Sequence, residues 1–148
     1  MLDPIRYIRL NIISALTGTV TNPSGGGFIS IYNRVPSNSV YPFIRVYGLS
    51  TNAIDDNQSK YNVECITRVE VVTRFDGDSG GDLNANNIMS QITDLLISKN
   101  QSAFNLSVYN FNCYAVQNSG IQYLEEDLTD HTYFRAILEL SNKVEQTN

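Results

Sequence analysis

Three kinds of residue in this chain could do chemistry: one histidine, two cysteines and a run of aspartates. His131 is the only histidine in 148 residues, and the chain contains no Gly-x-Ser-x-Gly element. A nucleophilic enzyme needs a base beside its nucleophile. Cys65 and Cys113 lie in strand-like segments, where cysteine usually behaves as a small buried hydrophobe. We therefore expect free core thiols, an exposed histidine in a turn, no catalytic residue and no enzymatic activity.

The aspartates Asp76, Asp78 and Asp82 alternate with glycines, a pattern typical of calcium-binding loops. An EF-hand loop starting at Asp76 would require Asp or Asn at position 80 and Glu at position 87, where this chain has Gly80 and Asn87. We therefore expect no metal site here, but a tight turn in which Asp82 caps a following helix. The alternative is an acidic surface that faces a partner or the lumen of an assembly.

No cofactor site is expected either. The glycine-rich residues 24–27 lead into a strand and lack a lysine, whereas a phosphate-binding loop opens a helix whose N–H groups bind the phosphate.

The charge balance argues against a protein that grips nucleic acid. The chain has 10 Lys and Arg against 15 Asp and Glu, a net charge of −5, and non-specific nucleic-acid binding requires a basic face. Polarity comes instead from neutral side chains, including 17 asparagines, which favour turns and strand edges. No apolar run is long enough for a signal sequence or a membrane span, so we expect a soluble protein made in a cytoplasm, without a membrane partner.

Periodicity predicts a helix that starts at Asp3 and Pro4 and ends at Gly18, and a second helix from Leu83 to about residue 99. Strands are predicted at residues 28–33, 41–49, 61–75, 104–116, 121–124 and 132–140. This order predicts a single domain over residues 1–148, of α+β class, with a single antiparallel β-sheet and two helices packed on one face. Loops are expected at residues 19–27, 51–59 and 76–82, and a flexible tail at residues 141–148.

The long strand at residues 61–75 alternates apolar and charged side chains, which is typical of an antiparallel strand with one dry and one wet face. The wet face carries Glu64, Arg68, Glu70 and Arg74. Their mixed charges make them candidates for contact between subunits; the alternative is an ordinary solvated sheet face.

A family resemblance goes further than these patterns. The first helix is followed by residues 31–36 (Ile-Tyr-Asn-Arg-Val-Pro), a short gap, and residues 41–48 (Tyr-Pro-Phe-Ile-Arg-Val-Tyr-Gly). A long strand, a glycine-bearing loop, an amphipathic helix and a closing hairpin at residues 125–133 come next. This arrangement resembles the tail-completion, or tail-terminator, proteins at the neck of tailed bacteriophages.

The resemblance implies a structural virion protein that forms a ring of six or twelve copies at the neck. Such a ring would terminate or complete the tail, join it to the portal or connector, and let genomic DNA pass through its lumen without specific binding. The implied location is the virion, after assembly in the cytoplasm of the host bacterium. The alternatives are another virion assembly subunit, such as a head-closure or tail-tube protein, or a small ligand-binding domain or enzyme.

Overall fold

The computed structural model describes residues 3–54, 61–77, 79–98 and 103–147. In chain order these form α1 (Ile5–Leu16), β1 (Ser30–Tyr32), β2 (Phe43–Ala53), β3 (Asn62–Asp76), α2 (Leu83–Leu96), a 3₁₀ turn (Ser107–Tyr109), β4 (Phe111–Asp127) and β5 (His131–Gln146). The predicted α+β class is confirmed. No helix in the described ranges is both long and apolar enough to cross a lipid bilayer.

The five strands form one sheet in the order β1-β2-β3-β5-β4. β2, β3, β5 and β4 pair antiparallel, but β1 runs parallel to β2, with Ser30 beside Phe43 and Tyr32 beside Arg45. The sheet is therefore mixed, and the prediction of a purely antiparallel sheet is wrong at β1. Side-chain alternation fixes which residues share a face, but not the direction in which a neighbouring strand runs.

β4 continues through residues 118–120, which separate the two strands predicted at residues 104–116 and 121–124. Its register against β5 shifts between Asn118 and Ile121, and Gly120 lies at a φ of 135°. The Asn118 side chain accepts a hydrogen bond from the Gly120 N–H at 2.8 Å. The sequence Asn-Ser-Gly is typical of turns, but in this protein it forms an irregularity within one long strand.

β5 extends further than predicted. The expected flexible tail at residues 141–148 is wrong up to Gln146, since these residues belong to β5. Ser141, Asn142 and Val144 are buried because β5 pairs with β3 on one side and β4 on the other.

The predicted loop at residues 51–59 is also shorter than expected at its start. Residues 51–53 belong to β2, and residues 55–60 lie outside the described ranges.

Both helices pack on the same face of the sheet, as predicted. α1 contributes Ile8, Ile12 and Leu16, and α2 contributes Ile88, Ile92 and Leu96. These side chains join one hydrophobic core with alternate residues of the strands: Ile44, Val46, Val63, Cys65, Val69, Val71, Ala136, Leu138, Leu140 and Val144. Cys65 and Cys113 are free and buried, which confirms that part of the sequence interpretation.

Candidate interaction surfaces

The face of the sheet opposite the helices, called here the open face, carries the four predicted interface residues. Glu64, Arg68, Glu70 and Arg74 alternate along β3 with the buried core residues. Their cross-strand neighbours on β5 include Lys143, Glu139, Ile137 and Tyr133. The structure therefore brings the four residues onto one surface, as their spacing predicted.

Arg68 is already paired within the chain. Its Nε and Nη2 both donate hydrogen bonds to Oε1 of Glu139, at 3.1 and 2.7 Å. The hydrogen bond with Glu139 raises the pKa of Arg68 above its ordinary value. Both side chains are about one-third exposed, so solvent screens the pair and it adds little to stability. Its main effect is to neutralise both charges on the open face.

Glu70 and Glu64 also find partners inside the sheet. The Glu70 carboxylate, with 12% of its side chain exposed, lies 3.5 Å from Nη1 of Arg135. Arg135 also reaches Oε2 of Glu126 on β4, at 3.8 Å. The Ser141 hydroxyl donates a 2.7 Å hydrogen bond to Oε2 of Glu64. An unpaired charge at Glu70 would be costly at this burial, and Arg135 compensates for it.

Arg74 stacks against an aromatic cluster that covers one end of the open face. Its guanidinium lies 4.4 Å from the centroid of the Tyr41 ring, within cation–π range. Tyr41 in turn contacts the rings of Phe43 and Tyr133, at 5.1 and 5.7 Å between centroids. Desolvation in this cluster raises the pKa of Tyr41. All four open-face residues thus have partners within the chain, so a neighbour that docks here meets few unpaired charges.

The predicted acidic loop does not form one cluster. Asp76, the last residue of β3, is 95% exposed at its side chain and lies 3.3 Å from Nδ1 of His131. Asp82 lies at the other end of the loop, in a depression lined also by Tyr123 and Glu125. Asp82 occupies the N-cap position of α2, but its side chain makes no capping hydrogen bond. Asp78 lies outside the described residues.

His131 is placed differently from the sequence prediction. It is the first residue of β5 rather than part of an exposed turn, and only 35% of its side chain is exposed. The pairing of Asp76 with His131 in the β3–β5 register accounts for this position.

The loop between β3 and α2 is fixed by backbone contacts. The Gly77 N–H donates to the carbonyl of Asp130 at 2.9 Å, and the Thr132 hydroxyl donates to the Gly77 carbonyl at 2.7 Å. Gly80 adopts a φ of 91° and lies against the Phe75 ring, where a Cβ atom would come within 2.2 Å. The start of α2 is therefore held beside the β4–β5 hairpin.

Sequence reasoning missed the outer edge of β4. No strand pairs with this edge in the part of the chain that the structure describes. Its last seven residues, from Ile121 to Asp127, pair regularly with β5, and Tyr123 and Leu124 are about half exposed. A long strand edge with unpaired N–H and C=O groups is a template for pairing with another chain. The sequence predicted a strand at residues 121–124. It did not predict that this strand is continuous with the one before it, because Asn-Ser-Gly at residues 118–120 is typical of a turn.

The opposite edge of the sheet is short, and two arginines lie near it. β1 forms it with three residues, and its outer side is likewise unpaired within the described ranges. Arg34 and Arg45 line a depression there together with Asn33, Val35 and Tyr47. Both arginines are exposed, and Arg45 lies 4.4 Å from the centroid of the Tyr47 ring.

Comparison with known proteins provides a fold neighbour. No protein-family model and no curated protein matches this sequence. Among solved structures, the fold is similar to that of a chain in the virion of a native gene transfer agent (GTA) particle. The match has a TM-score of 0.60 at 15% sequence identity and covers 94% of this chain and 90% of that chain. At this identity, the match shows that the two chains share a fold.

Proposed function

We propose that this protein is a structural component of a phage-like virion that forms a homo-oligomeric ring at the neck. The ring terminates or completes the tail and joins it to the portal or connector. The observation that carries the proposal is the fold shared with a chain of a gene transfer agent virion over 94% of this chain. The neighbour is a virion protein, which is consistent with the resemblance of residues 31–48 to tail-terminator proteins.

The sheet suits a subunit of a ring. A closed ring of head-to-tail contacts requires two different, mutually complementary patches on each subunit. The two outer strands of this sheet differ in length and charge, and neither has a partner strand within the described residues. A ring of six or twelve copies is the assembly we expect, with other virion proteins above and below it.

The cysteines and the histidine favour a structural role over catalysis. Burial raises the pKa of Cys65 to about 12 and also raises the pKa of Cys113. Thiolates are therefore scarce at neutral pH, although the thiolate is the nucleophilic form. Among the described residues, His131 lies beside Asp76 and the Tyr133 ring.

The net charge suits a channel through which DNA passes without binding. With a charge of −5, the subunit repels phosphates rather than retaining them. In this proposal Asp76, Asp78 and Asp82 face the lumen or a partner. Glu64, Arg68, Glu70 and Arg74 remain candidates for subunit contact.

Native mass and electron microscopy of the purified full chain test the proposal. We expect a single particle of six or twelve copies of the 16.6 kDa chain, seen as a ring with a central hole. Long cylinders would indicate a tail-tube protein instead. A monomer that converts a small molecule, with an activity lost in His131→Ala, would refute the structural role.

Location in the virion needs a separate test. Antibody labelling of particles produced in the host bacterium should place the protein at the junction of head and tail. Labelling along the whole tail, or none on intact particles, would contradict the neck assignment.

A further inference from the structure

The last part of β4 is a regular strand with a free outer edge. The pairing of β4 with β5 is irregular between Cys113 and Ala115 and again just before Ile121, but regular from Ile121 to Asp127. Bulges disturb a strand edge and hinder the pairing of a further strand. No strand of the described residues lies on the outer side of β4. A further strand can therefore join this edge within residues 121–127.

The register of the hairpin decides which backbone groups point outward. The Leu128 N–H donates to the carbonyl of His131 at 2.8 Å, so these two residues form a hydrogen-bonded pair. Hydrogen-bonded and non-hydrogen-bonded pairs alternate along an antiparallel ladder. Tyr123, Glu125 and Asp127 therefore direct their N–H and C=O groups away from β5. These are the groups that an added strand would bind.

A depression lies beside this edge, between β4 and the start of α2. It has a volume of about 360 Å³, and its lining includes Tyr123, Glu125, Phe134 and Asp82. The stem of a lysine or arginine packs well against aromatic rings, while its cationic head stays near polar groups. With two rings and two carboxylates in its wall, the depression suits a basic side chain.

The carboxylates at this depression have no cationic partner in the described part of the chain. None of the ion pairs among the described residues includes Asp82, Glu125 or Asp127. Asp82 occupies the N-cap position of α2 without making a capping hydrogen bond. Repulsion by Asp127, with a smaller effect of Asp82, raises the pKa of Glu125. A cation supplied by another chain would relieve this repulsion, so the charge of the site favours a basic occupant.

The other outer strand of this chain does not provide such an occupant. β1 consists of Ser30, Ile31 and Tyr32 and carries no charge. Arg45, the register partner of Tyr32, lies on the open face, whereas Glu125 lies on the face that the helices cover. Pairing with β1 of a second copy would therefore bring no charge of that strand to the depression.

We propose that residues 121–127 of β4 accept an extended segment of a different protein as an added strand, with a lysine or arginine of that segment in the depression beside Glu125 and Asp82. Backbone hydrogen bonds hold the segment, and the basic side chain fixes its register. Because successive side chains of a strand point to opposite faces, the segment carries its basic residues at alternate positions. This site goes beyond the proposed ring and does not rest on it, since contact between copies can use the open face.

A synthetic peptide as long as the free edge tests the site. The peptide has arginine at alternate positions, with valine and threonine between them, and fluorescence anisotropy measures its binding to the full chain. Residue-resolved hydrogen exchange then locates it. On binding, the N–H groups of Tyr123, Glu125 and Asp127 should become protected. The N–H groups of the residues between them should change little, since they already bond to β5.

Two variants at one position separate backbone pairing from charge. Glu125→Gln loses the carboxylate but keeps the outward N–H, whereas Glu125→Pro loses both. Proline is accepted on an edge strand where the N–H faces solvent, and circular dichroism checks that each variant folds. Both should bind the peptide more weakly than wild type, with Glu125→Pro weaker than Glu125→Gln by a further factor on the order of 10. Asp94→Asn, an exposed position toward the opposite end of α2 from Asp82, is the matched control and should bind like wild type.

A second peptide, with proline in place of the residues between the arginines, keeps the charge but cannot pair as a strand. It should bind far more weakly than the first peptide. Equal binding of the two peptides, or equal binding by Glu125→Pro and Glu125→Gln, would reduce the effect to charge attraction and overturn the edge site. Absence of binding would overturn it as well.

The state of the edge before any peptide is added separates a partner from a second copy. If Tyr123, Glu125 and Asp127 are already protected in the wild-type chain, another copy occupies the edge, and the assignment to a different protein is overturned. Native mass decides the ring independently. Either proposal can therefore fail while the other stands.

Discussion

Gly80 offers a sharp test of how the loop after β3 holds α2 beside the hairpin. In Gly80→Ala, the new Cβ would lie 2.2 to 2.7 Å from three atoms of the Phe75 ring, at a φ of 91°. The positive φ costs about 1–2 kcal/mol for a residue with a side chain, and overpacking against the ring adds about 1–3 kcal/mol. We therefore expect Gly80→Ala to lower the free energy of unfolding by about 2–5 kcal/mol.

Gly25→Ala is the matched control. Gly25 has a φ of 90°, but no atom lies within 4 Å of its Cβ position, so this variant incurs the backbone cost alone, about 1–2 kcal/mol. Urea unfolding followed by circular dichroism gives both free energies. The two variants should differ by the cost of overpacking on Phe75. If they lose the same stability, the contact between Gly80 and Phe75 does not constrain the loop, and the reasoning fails.

Three further outcomes are expected. Cys65 should react slowly with iodoacetamide at pH 8 in the folded chain and rapidly in urea, since burial raises its pKa to about 12; fast labelling of the folded chain would show that the thiol is accessible. Glu125→Gln should raise the melting temperature at pH 7, because repulsion by Asp127 raises the pKa of Glu125 and the charged form is therefore unfavourable above that pKa; a melting temperature in circular dichroism that stays the same or falls would contradict this repulsion. Leu138→Ala, at a fully buried position, should lower the free energy of unfolding by about 2–5 kcal/mol. Leu124→Ala, at a half-exposed position, should change it by roughly 0.5 kcal/mol or less. Equal losses of stability in chemical unfolding would be inconsistent with the described core.

The spacing of apolar residues in the sequence predicted the helices and strands that bury one face against the core. The apolar spacing of α1 and the alternation along β3 identified both elements to within a few residues, since each buries one face against the core. The same alternation placed Glu64, Arg68, Glu70 and Arg74 on one surface.

Features that depend on distant pairing were not predicted. The partners of Arg68 and Glu70 are Glu139 and Arg135, and only the β3–β5 register brings them together. The polar residues Ser141 and Asn142 suggested a tail, but β3 and β4 flank and bury them. The free edge of β4 likewise depends on strand order, which composition and periodicity do not encode.

The insertion of β5 between β3 and β4 has a consequence for synthesis of the chain on the ribosome. Among the described residues β4 pairs only with β5, so β4 can take its place in the sheet only after residues 131–146 have emerged from the exit tunnel. Until then, β3 and β4 each lack the strand that pairs with both of them, and their edges facing β5 are unpaired. The sheet is therefore completed only after β5 has been made, and β4, which is synthesised before β5, must wait for its partner strand.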